Sequence, residues 1–426
     1  MVTQDQLMLA AVVQPGRVAA LRDCLAQMNR RPGEVDPLNP RLPFGHFDTI
    51  HFARVLVAED RTLGDRTWYP GLPSGDPVYL LLLVDCDGSA EALLERLASE
   101  AKAGLRELFQ HCEGFSDGID LLTWLRAHQR RAAAFYVNWV GRTVRQVREE
   151  DALHETLRRV LHNLPMSQSP RELHRQLRQA AQSQGPALSP AEPRTPGQWL
   201  QLAGRAALLL LIGLLLLLPA LVLAPPFFFW LRRHELRDPV IDLRADAQAS
   251  RAIATGEDRD VTNPFSAIGS LKPGPFRLWV TRAALWALDQ SCALLYHRGR
   301  LARVSTIHFA RWVLLDDDRR VFFASNYDGS LESYMDDFIN KVAFGLNLVF
   351  SNGIGYPPSD FLILRGAWQE QRFKHFLHRH QVATDVWYKA YPGLTNADLA
   401  RNSRIRQGLQ RNHLSEAALR RWLAEI

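Results

Sequence analysis

The chain has 426 residues, of which 47% are hydrophobic and 23% charged, with a formal net charge of +6. That balance excludes a disordered or fibrous chain and leaves material for two cores plus linkers. The positive charge is almost all arginine, the only lysines being Lys102, Lys272, Lys341, Lys374 and Lys389. No nucleic-acid-binding motif accompanies it, so the expected partner of the basic surface is an anionic lipid bilayer and not a nucleic acid.

In chain order, Leu7 to Val13 reads as a short apolar strand, and Arg17 to Met28 has helical spacing at Val18, Leu21, Leu25 and Met28. Strands are expected over Thr49 to Ala58 and Val78 to Asp85. Ser89 caps a long helix reaching to about Cys112, a fourth strand covers Ala132 to Val140, and Glu149 to Leu164 forms a closing helix. Pro165 to Gln198 is rich in Gln, Ser, Pro and Arg and reads as a linker. Ala206 to Leu231 carries no charge at all and is long enough for a membrane segment. Pro219 and Pro225-Pro226 interrupt it, and both flanks are basic, with Arg205 before it and Arg232, Arg233 and Arg237 after it. Prolines break helical geometry and positive charge favours the cytoplasmic side, so a segment that enters and returns is expected in preference to a kinked single span. The Phe227 to Trp230 cluster suits an interfacial anchor.

Glu235 to Thr262 is a second linker. Strands then follow at Phe265 to Leu271, Ser305 to Leu315 and Arg320 to Tyr327, with helices at about Phe276 to Tyr296 and Ser330 to Phe350. A last strand at Thr384 to Tyr391, a helix from Asn396 to about Gly408 and an amphipathic segment from Leu414 complete the chain. The expected units are therefore 1–164, a linker 165–204, a membrane segment 205–234, a linker 235–262, a second unit 263–409 and a C-terminal helix 410–426.

The two units are copies. The hexamer TIHFAR occurs at Thr49 to Arg54 and again at Thr306 to Arg311; Pro-Gly recurs at Pro15-Gly16 and Pro273-Gly274, and Asp-Gly-Ser at Asp87 to Ser89 and Asp328 to Ser330. Self-similarity of this kind marks a tandem duplication. Each copy has the order β-α-β-β-α-β-α, which reads as a ferredoxin-like unit: one antiparallel sheet with helices on one face. The fold class expected is α+β, two tandem ferredoxin-like repeats packed sheet to sheet as a pseudo-dimeric α/β barrel, with a hydrophobic membrane segment between them. Both copies then lie on one side of an inner, cytoplasmic membrane.

In element order and duplication the chain resembles the dimeric α/β-barrel superfamily, which includes small monooxygenases, chlorite dismutases and dye-decolourising peroxidases. Of the GxxDG motif of those peroxidases, Ser325 to Gly329 keeps the Asp-Gly and has Ser325 in place of the leading glycine. The resemblance implies oxidative chemistry on a lipophilic small molecule, with haem as the candidate cofactor. The other reading is a non-catalytic membrane-associated module that binds a ligand or a protein partner.

Strand alternation puts Thr306, His308, Ala310 and Trp312 on one face, as it does Thr49, His51, Ala53 and Val55 in the first copy. If those faces point between the sheets, His51 and His308 meet in one interior, where imidazoles ligate a cofactor or exchange protons, or donate to neighbouring strands and fill space. His308, His51 and Arg311 are the candidate cofactor-binding residues. Asymmetry between copies adds Asn326, Lys389 and Tyr391, which join His308 as the candidate catalytic set because polar groups in aromatic surroundings occur there only in the second copy. His375, His378 and His380 sit among Arg372, Lys374 and Arg379 and read as a solvated basic helix face, and no metal site is expected. Cys24, Cys86, Cys112 and Cys292 lack paired spacing and read as reduced core residues.

Overall fold

A computed structural model describes residues 1–73, 75–165, 167–190, 193–257, 259–411 and 413–426. Met166, Ala191 and Glu192 of the first expected linker, Asp258 of the second and Asn412 of the C-terminal segment lie outside the described residues. The architecture is mixed α+β, with several antiparallel sheets and one long apolar helix.

The first copy supplies strands β1 (Gln4–Val12), β2 (Ile50–Ala58), β3 (Tyr79–Asp87) and β4 (Ala134–Val137), the second β5 (Thr262–Ser270), β6 (Ile307–Leu315), β7 (Arg320–Asp328) and β8 (Val386–Lys389). Three strands of each copy pair as expected: β3 lies between β1 and β2, and β7 between β5 and β6. The fourth strands depart from the sequence reading, because each joins the other copy's sheet. β8 pairs antiparallel with β2, with Val386 opposite Val55, and β4 pairs with β6, with Tyr136 opposite Ala310. Before crossing, the segment leading to each fourth strand touches the sheet of its own copy. Arg130 N donates to Met8 O at 2.9 Å beside β1, and Val382 N donates to Ser266 O at 2.8 Å beside β5. The outer edges of β1 and β5 are thus partly covered, which limits the open edge that would template aggregation.

The helices are α1 (Val18–Ala26), α2 (Ala90–Glu100), α3 (Lys102–Phe109), α4 (Leu121–Ala127), α5 (Val144–His162), α6 (Pro170–Gln184), α7 (Pro196–Glu235), α8 (Ala247–Glu257), α9 (Pro275–Leu294), α10 (Leu331–Phe350), α11 (Glu370–His380), α12 (Asn396–Gln410) and α13 (Glu416–Leu423). The expected helix from Ser89 to Cys112 is broken at Ala101, whose φ of −113° leaves the helical region. Ser89 does cap its start, accepting from Glu91 N. Each expected linker contains a helix, α6 and α8. α5, α12 and α6 enclose a small core of their own around Leu153, Leu157, Leu177 and Ile405. His380 is buried and its Nδ1 meets Phe376 O at 2.8 Å, so the α11 histidines are not all on a solvated face. The four cysteines are free and buried, as expected.

Between the sheets lies a continuous core of Met8, Leu56, Leu81 and Leu83 from the first copy with Ile268, Val313, Leu315 and Phe322 from the second. The face assignment made from the sequence is reversed here. Ala53 and Val55 pack under the helices of the first copy, Ala310 and Trp312 under those of the second, while Arg54, Leu56, Arg311 and Val313 face the opposite sheet.

α7 is long and apolar enough to cross a membrane. It rests on α9 at both ends: Arg205 pairs with Asp289 at 3.4 Å, and the His234 ring stacks on Phe276 at 4.9 Å. Between these contacts residues 213–223 are exposed throughout. A helical stretch of about 44 Å thus joins two points on α9 about 20 Å apart, and Pro219, Pro225 and Pro226 fall within it. The helix continues through all three prolines, a residue type at which helices commonly bend.

Candidate functional site

His51 and His308 are the extra residues of two equivalent β-bulges. Ile50 pairs with Cys86 and Phe52 with Asp85, and Ile307 pairs with Tyr327 and Phe309 with Asn326, so each histidine is the unpaired residue between. A bulge re-aims one side chain and reverses the alternation beyond it. This explains both why the strand faces differ from the simple period-two reading and why the two imidazoles nevertheless converge.

Each histidine is held by the aspartate of its own Asp-Gly-Ser. His51 Nε2 lies 2.9 Å from Asp87 Oδ1, and His308 Nε2 lies 2.7 Å from Asp328 Oδ1. A carboxylate only accepts, so Nε2 carries the hydrogen in both. The other oxygen of each aspartate accepts the first amide of the helix after the fourth strand: Val144 N at 2.7 Å on Asp87, and Asn396 N at 2.8 Å on Asp328. A matched Gly-x-Thr turn delivers those helices. Gly141 and Gly393 take positive φ of 92° and 79°, which glycine adopts without strain, and Thr143 and Thr395 cap α5 and α12. The duplicated histidines therefore clasp strand to helix in both halves.

The clasps border one cavity of about 20 Å³, lined by His51, Asn138, Arg142, His308, Tyr391 and Asn396 among others. Both copies contribute, contrary to the expectation that the second alone carries the polar set. Tyr391 hydroxyl meets His51 Nδ1 at 3.0 Å. Burial chiefly, with Asp87 and Asp85 adding to it, pushes the Tyr391 phenol well above its ordinary value. Arg142 is buried and stacks on Trp139 at 4.4 Å; burial pushes its guanidinium down, with Glu150 and Tyr391 opposing.

The other expected site residues lie elsewhere. Asn326 and Arg311 sit at the centre between the sheets in a quartet with Arg54 and Asp85. Arg54 donates to Asn326 Oδ1 and Arg311 to Asp85 Oδ1, while Asn326 Nδ2 donates to Asp85 Oδ2 at 2.8 Å. Burial, reinforced by Arg311 and opposed by Asp85, lowers Arg54 to about 10. Lys389 lies on the edge strand β8, paired with Asp260. Neither the quartet nor Lys389 lines the cavity. Arg142 and Asn138 escaped the sequence reading. The signal that would have found Arg142 is the Gly-x-Thr repeat, which sets it opposite Leu394 as a difference between copies.

A haem does not fit these residues. Drug-sized ligands occupy pockets of roughly 300–1,000 Å³, far above the space beside His308, and both ring nitrogens of His51 are engaged. Among the described residues no group of three or more His, Cys, Asp or Glu could hold a metal ion. Two larger clefts flank α7. One of about 270 Å³ is lined by Arg194, Gln198, Arg205 and Asp289; the other, of about 360 Å³, by Arg232, Lys272, Arg365 and Arg372 together with Glu235 and Asp360.

Comparison with protein-family models, curated proteins and solved structures finds no match to this chain.

Proposed function

We propose that this protein is a membrane-anchored binding module, in which two ferredoxin-like copies form one pseudo-dimeric α/β barrel held on one side of an inner membrane by a re-entrant α7. The observation that carries the reading is the anchoring of both flanks of α7 on α9, with the apolar middle exposed between them. The exchanged strands support it, because copies that share sheets cannot lie on opposite faces of a bilayer. Trp279, Trp286 and Phe344 are exposed on α9 and α10, and Phe228 packs on Phe361 beside them, a composition suited to the headgroup zone. The two clefts at the ends of α7 would then open at headgroup level, where basic side chains and apolar walls suit a lipophilic or lipid-derived ligand with a polar head. The binding reading is preferred over an oxidoreductase because the paired histidines serve as clasps around a cavity too small for haem.

Tags at the two termini, tested with external protease on spheroplasts, check the reading. Both tags protected is the expected result; one protected and one cleaved establishes a single span and removes the re-entrant anchor.

A further inference from the structure

We infer that the cavity between the two histidine clasps is a binding site for one small inorganic anion, of halide size, with Arg142 as its principal ligand. Arg142 is 5% exposed, and its Nε and Nη2 meet no hydrogen-bond acceptor among the described residues. A guanidinium buried without a carboxylate or carbonyl to receive its hydrogens is costly, and such groups are ordinarily paired. The two carboxylates that face this region are committed elsewhere. Asp87 accepts from His51, Gln4 and Val144 N, and Asp328 accepts from His308, Thr262 and Asn396 N. Glu150, the carboxylate that most opposes the lowering of Arg142, is hydrogen-bonded to Gln146 and lies 3.5 Å from Arg406.

The cavity beside the guanidinium measures about 20 Å³, and about 10–15 Å³ suffices for a single water-sized occupant. Its volume thus admits a monatomic ion and excludes phosphate esters or carboxylic acids of any length. Of the other lining groups, Asn396 is the second donor: its Nδ2 gives one hydrogen to Ser305 O at 3.1 Å and has another to offer, whereas the Asn138 amide is spent on Ile307 O and His308, with its hydrogen on Nε2, presents only a lone pair at Nδ1. Trp139, stacked on Arg142 and 37% exposed, is the wall nearest solvent and the route by which an ion would exchange. The site is one-sided: Leu394 occupies the place of Arg142 in the second copy, so the duplication that made two clasps left one anion site.

Bromide serves as the probe. In crystals of the full chain grown from detergent with sodium bromide, an anomalous peak beside the Arg142 guanidinium is expected; water alone there at saturating bromide overturns the proposal. In solution, bromide should raise the melting temperature saturably over sodium gluconate at the same ionic strength, by at least about 2 °C. Arg142→Leu, which copies the second half and removes an unpaired charge, should fold and lose that response. An equal bromide response in wild type and Arg142→Leu places the ion elsewhere and also refutes the site.

Discussion

Asn326 faces Asp85 across the interface between the two sheets, its amide nitrogen 2.8 Å from the carboxylate. The two residues occupy equivalent places in the duplication, as Arg54 and Arg311 do, so the centre of the molecule departs from two-fold symmetry by one amide for carboxylate exchange. Two carboxylates at that separation cannot both ionise, and the pair would titrate together with one proton held well above the ordinary range. Asn326→Asp should therefore be destabilised at pH 8 by on the order of 1–3 kcal/mol, net of what Arg54 gains. A raised carboxyl favours the fold while protonated, so the deficit should shrink as pH falls towards 5. Denaturant titrations at both pH values check this; a variant as stable as wild type at pH 8 would show that the amide is not required.

Removal of either clasp should cost stability. His308→Ala leaves Asp328 buried with one fewer donor, a loss of about 1–3 kcal/mol. His51→Ala should cost more, because the Tyr391 hydroxyl loses its partner as well. Thermal unfolding of the two variants in detergent tests the order, and a neutral His308→Ala would mean that Asp328 holds α12 without the imidazole.

Exchange of the fourth strands gives a covalent test. Val55 and Val386 are directly opposite on β2 and β8, though 331 positions apart. Cysteines at both should form an intrachain disulfide, and protease cuts in the 165–198 linker should then leave the halves joined until reduction. Halves that separate without reductant would show that each copy keeps its own fourth strand.

Glu257 supplies a pH dependence. Burial raises its carboxyl to about 7, although Thr384 N and Gln381 donate to it. The folded value is above the unfolded one, so protonation favours the fold; the contribution is present below about 4.5 and lost as pH rises through about 7. Its size is on the order of 3 kcal/mol. Glu257→Gln keeps an acceptor for Thr384 and should be more stable than wild type at pH 8, with the difference gone near pH 4.5. Parallel pH profiles of the two proteins would refute the buried-acid account.

Much of the architecture was legible in the chain. Repetition of TIHFAR and Asp-Gly-Ser located equivalent strands, apolar runs placed the eight strands of the two main sheets to within a few residues, and the uncharged stretch from Ala206 marked α7. These signals are local: they depend on side-chain period, turn chemistry and composition, all of which act over a few residues. Tertiary structure alone decided which sheet receives β4 and β8, because strand pairing is a choice between edges of similar chemistry. It also decided where His51 and His308 point, since a bulge is fixed by the register against β3 and β7 and not by the strand's own sequence. For the same reason Asn326, Lys389 and Tyr391, grouped by composition, lie in three different places, and Arg142, unremarkable in a turn, lies buried beside a cavity built from both copies.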